Sequence, residues 1–315
     1  MVKNKIYALL KYSTNNIGDE IQSIAARQFL PNIDYFIDRD KLLKYNGPEV
    51  KLILNGWFTH NPENWPPSDK IKPLFVSFHI SNVAYSKFLS KKSIDYFKIH
   101  EPIGCRDFST MNILRKKGIK AYFSGCLTLT LKKKGIKKNN KVLLVDVDKK
   151  IDKKVRARFG KEIETISHAH DGKLFSLRNH PLKNYLYRIE FLKKLGKSSF
   201  VGKFLRRILL KKEGEVIKFN RADRLLEKYE KAKLVITSRI HVALPCLAFG
   251  TPVIFIIKDQ KDIRFNGLTN LFNSYDYSEF ISPECNCLKR IRKNPNKYLK
   301  FRKELVNKCI NFIKN

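Results

Sequence analysis

Two short apolar runs, LVITS (234–238) and PVIFII (252–257), bracket IHVALPCLAFG, a segment of helical length. Each run is rich in β-branched residues and short enough for a strand buried on both faces. The segment between them closes on Gly250, a residue suited to a left-handed helix cap, and Thr251-Pro252 then stops it. Pro245, inside the segment, argues against an unbroken helix. A strand, helix, strand succession of this kind crosses over with a right hand and lays its strands parallel in one sheet. Ligands of such sheets bind outside the carboxyl ends of the strands. Arg239 and His241 fall at that end, beside a helix N-terminus whose N–H groups favour anions. The stretch predicts an anion site with a titratable group next to it. Read alone, it fits equally well a solvated rim arginine and a histidine satisfied in the core.

The same alternation runs through the rest of the chain. KIYALLKY (5–12), KLILNG (51–56) and PLFVSFHI (73–80) read as strands, IQSIAARQFL (21–30) and TMNILRKKG (110–118) as helices, and KAYFSGCLTLTL (120–131) ends a first half. A Lys/Asn-rich linker, KKKGIKKNN (132–140), precedes a second series. There KVLLVDVD (141–148) and KEIETISH (161–168) read as strands, and YLYRIEFLKKL (185–195) and ADRLLEKYEKA (222–232) as helices. Residues 196–220 show no clear pattern, and LKFRKELVNKCINFI (299–313) reads as a final helix. At 315 residues the chain exceeds what one core ordinarily serves. The expected class is therefore α/β, with two Rossmann-like domains facing across a cleft. The first spans 1–135 and the second 136–294, with 295–315 a helix packing back on the first.

Charge narrows the partners. Lys and Arg number 64 against 29 Asp and Glu, a formal net charge of +35, so an anionic partner or surface is expected. The basic runs LKKKGIKKNNK (131–141) and DKKIDKKVRAR (148–158) lack the interleaved aromatics and glycines of a single-strand RNA platform, and zinc-finger and basic-zipper spacings are missing. Nucleic acid is not the expected partner. Solvated faces explain most of the runs, and contact with an anionic membrane stays open.

The six cysteines form no metal signature, because Cys285 and Cys287 are one residue apart. Cys105, Cys126 and Cys246 sit in apolar settings and read as buried thiols, which fits a reducing compartment. The N-terminal run IYALL is too short for a signal peptide, and no segment approaches a membrane span. A cytoplasmic location, peripheral to a membrane at most, is the expectation.

Four ordered segments resemble the polysaccharide pyruvyl transferase family: NIGDEIQSIAA (16–26), IGCRDFSTMNILRKKGIKAYFSGCLTLTL (103–131), TISHAHD (165–171) and SRIHVALPCLAFGTPVIFI (238–256), with RFNGL (264–268) following. The resemblance implies a fold similar to GT-B glycosyltransferases. It also implies transfer of the enolpyruvyl skeleton of phosphoenolpyruvate onto two hydroxyls of a sugar in a polysaccharide or lipid-linked glycan, giving a cyclic pyruvate ketal and phosphate. The donor carries a carboxylate and a phosphate, which arginine forks suit. Arg106, Arg239 and Arg264 are the candidates for it. His241 is the first candidate general acid and His168 the second, with His170 as a nearby substitute.

On the acceptor side the resemblance points to Asn16, Asp19 and Glu20, with Asp19 as acceptor ligand or base. Helix capping and dipole complementation account for the same acidic residues without any catalytic role. Asp107 and Ser109 follow Arg106 in an arrangement that fits the family loosely, with Thr110 as an alternative counterpart of Ser109. Ser124 and Gly125 read as a turn. No metal or cofactor is called for. Two other readings compete: a GT-B-type glycosyltransferase using a nucleotide sugar, and a basic module binding nucleic acid or an anionic membrane.

Overall fold

A computed structural model describes residues 5–58, 60–169 and 200–315 of the chain. His170 and the helix expected over 185–195 lie outside the described residues. The protein is α/β with two sheets, each made of parallel strands. The first half contains β1 (Tyr7–Lys11), α1 (Ile17–Arg27), β2 (Tyr35–Asp38), β3 (Val50–Trp57), β4 (Ile71–His79), α2 (Tyr85–Phe88), α3 (Lys91–Ile99), β5 (Ile103–Cys105), α4 (Phe108–Arg115) and β6 (Ala121–Phe123). The second contains β7 (Val142–Val145), α5 (Lys149–Phe159), β8 (Ile163–Ile166), α6 (Phe200–Lys231), β9 (Leu234–Thr237), α7 (Ile240–Phe249), β10 (Val253–Ile257), β11 (Asn273–Asp276), α8 (Tyr277–Ile281) and α9 (Tyr298–Lys314).

Strand order is β2-β1-β3-β4-β5-β6 in one sheet and β11-β10-β9-β7-β8 in the other. In each sheet the second strand in sequence lies on one side of the first and the third on the other. The crossovers thus diverge between β1 and β3 and between β7 and β9, leaving a crevice at the carboxyl ends of those strands. Central strands such as VLLV in β7 and LVIT in β9 are wholly buried, as near-continuous apolar runs of a covered parallel sheet are. The edge strands YFID (β2) and NSYD (β11) lack such runs and escape a reading by hydrophobicity.

Other elements differ from expectation for local reasons. The stretch 120–131 divides into β6 and a 3₁₀ turn over Leu127–Thr130, because the chain turns at Gly125 with φ of +69°. Helix α4 begins at Phe108, ahead of the expected start, since the Asp107 carboxylate caps it by accepting from the Thr110 N–H at 2.8 Å. Helix α6 absorbs both the 222–232 segment and much of the stretch without a pattern. Helix α7 runs through Pro245 to a left-handed cap at Gly250.

The halves are packed together. One buried cluster joins Leu9, Ile17, Ile21 and Val76 to Val235, Val242, Leu247 and Phe255. Lys218 on α6 donates to the carbonyls of Tyr12 and Thr14 at 3.1 and 2.8 Å, and Arg27 on α1 pairs with Asp223 at 3.1 Å. The linker is held as well, because Glu230 accepts the backbone N–H groups of Lys134, Gly135 and Ile136. Along α9, the Phe301 ring lies 5.1 Å from Phe123 and the Phe312 carbonyl accepts from Lys51 at 2.7 Å. Among the described residues no helix is long and apolar enough to cross a membrane.

Candidate functional site

The carboxyl ends of both sheets open on one cavity of about 110 Å³, lined by Asn16, Asp19, Trp57, Arg106, His168, Ser238, Arg239, Ile240, His241, Arg264 and Phe265. Each lining side chain follows from the strand or helix that carries it. Arg239 is the N-cap of α7, which has no side-chain cap bond, so its first turn faces the cavity without a protein acceptor from the cap residue. The other two long helices that start here are capped internally, α1 by Asn16 and α4 by Asp107. The α7 terminus is thus the one of the three suited to an incoming anion.

The arginines are held differently. Arg239 Nε donates to Asp146 at 2.8 Å, and its side chain is half exposed. Arg264 makes a two-pronged pair with Asp262, Nε donating to Oδ1 at 2.8 Å. Arg106 is 2% exposed, and its Nε has no hydrogen-bond partner among the described residues. Burial lowers its pKa, with Asp107 pulling the other way. A buried guanidinium donor without a protein acceptor calls for an oxygen from elsewhere.

His241 is buried, its Nε2 also lacks a partner among the described residues, and its side chain lies against Gly18 of the first half. A Cβ placed on Gly18 would stand 2.9 Å from His241 Nδ1, so any larger residue there must push the imidazole aside. Burial first, and then Arg106, His168, Arg264 and His79, push the pKa of His241 well below its ordinary 6.5. The protein groups alone therefore keep the imidazole neutral near pH 7, where the sequence had pointed to a group titrating there. His168 lies beside it, buried, with its N–H on the Asp146 carboxylate at 3.3 Å and its carbonyl accepting from Ile17 N–H at 3.2 Å. Asn16 pairs with Ala169 in an isolated bridge, so the two halves meet at the rim of the cavity.

Asp19 is 2% exposed and lines the cavity while accepting from Thr14 at 2.5 Å and pairing with Arg39 at 3.4 Å. Glu20, its neighbour, is not among the lining residues. Its buried carboxylate turns toward α6 and stands 3.9 Å from Lys218. Of the pair Ser109 and Thr110, Thr110 is the buried one, donating or accepting with His79 at 3.3 Å and accepting from Ile80 N–H at 3.1 Å, whereas Ser109 accepts from Asn266 at 3.2 Å. Ser124 does more than turn the chain: its hydroxyl accepts from Ser77 N–H, whose φ is +58°, and donates to the Cys105 carbonyl, tying β4 to β5.

Sequence reasoning missed Asp146, Arg39, His79 and Trp57. His79 ends β4 and bonds Asp107 at 2.6 Å, and its pKa is lowered by burial and then Arg106, against the pull of Asp107. Trp57 ends β3, with a buried Nε1 that has no partner among the described residues. All four sit at or just past a strand's carboxyl end, which is the signal that could have found them. All six cysteines are free thiols, Cys105, Cys126 and Cys246 among the buried ones. No cluster able to hold a metal occurs among the described residues.

Two parallel sheets whose carboxyl ends converge on one arginine- and histidine-lined cavity define an α/β protein with a single site shared by its halves. Residues 16–259 match the family described as polysaccharide pyruvyl transferase, and the chain belongs to that family. It is accordingly a transferase, of a family whose role is pyruvyl transfer and which implies a glycan acceptor. No curated protein matches the chain. A crystal structure of a functionally uncharacterized protein from Klebsiella pneumoniae subsp. pneumoniae is similar at 12% identity and a TM-score of 0.46, over 86% of this chain and 92% of that one.

Proposed function

We propose that the protein transfers the enolpyruvyl skeleton of phosphoenolpyruvate onto two hydroxyls of one sugar, as a cyclic ketal, with release of phosphate. The observation that carries this reading is the convergence of Arg106 from one half with Arg239, Arg264, His168 and His241 from the other on one small cavity. Carboxylate and phosphate oxygens match the two half-exposed guanidinium groups, the buried Arg106 and the open α7 terminus. The cavity is below the ordinary size range of drug-sized ligand pockets, roughly 300–1,000 Å³, which favours a three-carbon donor over a nucleotide sugar.

The bound donor changes the protonation of the site. Burial and then the neighbouring cationic groups depress His241, and the donor's negative charges oppose the second of these, so binding favours a proton on the imidazole. Protonated His241, with His168 in reserve, delivers that proton to the methylene carbon, while a first sugar hydroxyl adds to the adjacent carbon and gives up its own proton. Phosphate then leaves with the electron pair of its C–O bond, and the second hydroxyl closes the ketal, its proton passing to phosphate. Asp19, fixed by Arg39 and Thr14, is placed to accept a hydroxyl proton, and Asn16 lies next to it.

We read the halves as domains spanning 1–135 and 136–294 in a GT-B-like arrangement, with 295–315 laid back on the first, working on the cytoplasmic side. The excess charge supports peripheral contact with an anionic membrane that carries a lipid-linked acceptor. The test is phosphate release from phosphoenolpyruvate with glycan present. Wild type is expected to release it and His241→Ala to lose it, and equal release by both ends the reading. Stabilisation by a nucleotide sugar and not by phosphoenolpyruvate would select the glycosyltransferase alternative instead.

A further inference from the structure

A second, larger cavity of about 610 Å³ lies beyond the first, and Phe265 lines both. It sits at the carboxyl ends of β10 and β11, where Ile257 and Asp276 are paired in register, and Phe108 of α4 reaches it from the other half. The junction is tight. Phe108 N–H donates to the Asn266 carbonyl at 3.0 Å, and Gly267, at φ +90°, would place a Cβ 2.8 Å from the Phe108 ring.

Its chemistry runs against the rest of the chain. In a protein of net charge +35, Asp259, Asp262 and Asp276 line this cavity; Arg264 neutralises Asp262, which leaves two carboxylates against the single lining cation Lys261. Asp262 is taken up by Arg264 on both of its oxygens, whereas Asp276, held by Gln260 Nε2 at 2.6 Å, presents a fixed acceptor. Asn266 and Asn270 add amides, and Phe108 and Phe265 add ring surface. A second anion is repelled here, and a metal ion finds no holding cluster among the described residues. Hydroxyl donors suit the carboxylates and amides, and the C–H faces of a pyranose suit the rings.

We propose that this cavity seats the acceptor sugar and selects an uncharged one over a uronic acid. The inference rests on the pyruvyl-transfer reading, for which the shared Phe265 wall brings hydroxyls next to the donor. It moves the main acceptor contacts from α1 to residues 257–276, leaving Asp19 to serve the reacting hydroxyl.

The test is saturation-transfer NMR on the full chain with methyl glycosides of glucose, galactose and mannose and with methyl glucuronoside and galacturonoside. At least one neutral glycoside is expected to receive saturation more strongly than either uronoside. The double variant Asp259→Asn/Asn270→Ala, at two exposed positions, is expected to weaken that glycoside about tenfold or more. Arg239→Ala is expected to keep it. Undiminished transfer in the double variant, preference for the uronosides, or no transfer from any neutral glycoside overturns the proposal. Thermal stabilisation by phosphoenolpyruvate is read separately: the double variant keeps it if folded, with Asn270→Ala alone as the substitute if it does not. Its loss in wild type would fail the donor reading while leaving the sugar result standing.

Discussion

The two halves supply charge to one cavity in opposite ways. In the first, Arg39 and Asp19, and His79 and Asp107, are ion-paired or hydrogen-bonded with side chains at most 3% exposed, part of the core of their sheet. In the second, Arg239 and Arg264 stand about half exposed, each tethered to one aspartate. A buried pair broken on one side leaves a stranded charge, whereas an exposed pair contributes little to stability. The first half therefore ties these charged groups to its folding, and the two arginines of the second are separable from it.

Arg39→Ala tests that contrast most severely. It should destabilise the protein by about 3–5 kcal/mol in urea unfolding, because Asp19 loses its buried partner. A change as small as that of Arg239→Ala would erase the difference between the halves. Arg239→Ala itself should shift stability by under about 1 kcal/mol. It should lower kcat/KM for phosphoenolpyruvate by about 30- to 150-fold, the value of roughly 2–3 kcal/mol in charge-assisted bonds. Gly18→Ala lies between the two kinds of effect. Its added methyl must displace His241, so about 1–3 kcal/mol of stability is expected to go together with a fall in kcat, and an unchanged kcat would show that the imidazole is not confined by the seam.

The smallest effect is in pH. His241 and His79 have folded pKa values below that of the unfolded chain, so the unfolded state binds more protons as pH falls under about 6.5. Their contribution to stability is full above that pH and declines below it, toward their folded values. His241→Gln should flatten the decline in urea midpoints measured across about pH 5 to 8. A slope identical to wild type would place the proton elsewhere.

Much of this was readable before any coordinates. Strand ends can be located from apolar runs, so His168, Arg239 and His241 could be picked out as residues at or just past strands, whereas Arg106, behind the three-residue β5, was reached only through the family resemblance. Their partners could not. Asp146 meets Arg239 only because β7 and β9 are neighbours, and His79 meets Asp107 only because β4 and β5 are, and strand order is a tertiary outcome invisible to local periodicity. Glu20 illustrates the same limit from the other side. Adjacent to Asp19 in sequence, it is turned by the helical repeat toward α6, away from the cavity.

Gly18 lacks the one carbon that would keep the lobes apart, and the ring nitrogen of His241 rests within reach of that gap. Any change in the spacing of α1 and α7 at this point must alter that contact. The resonances of the imidazole ring should therefore be sensitive to how the two halves are seated at this seam.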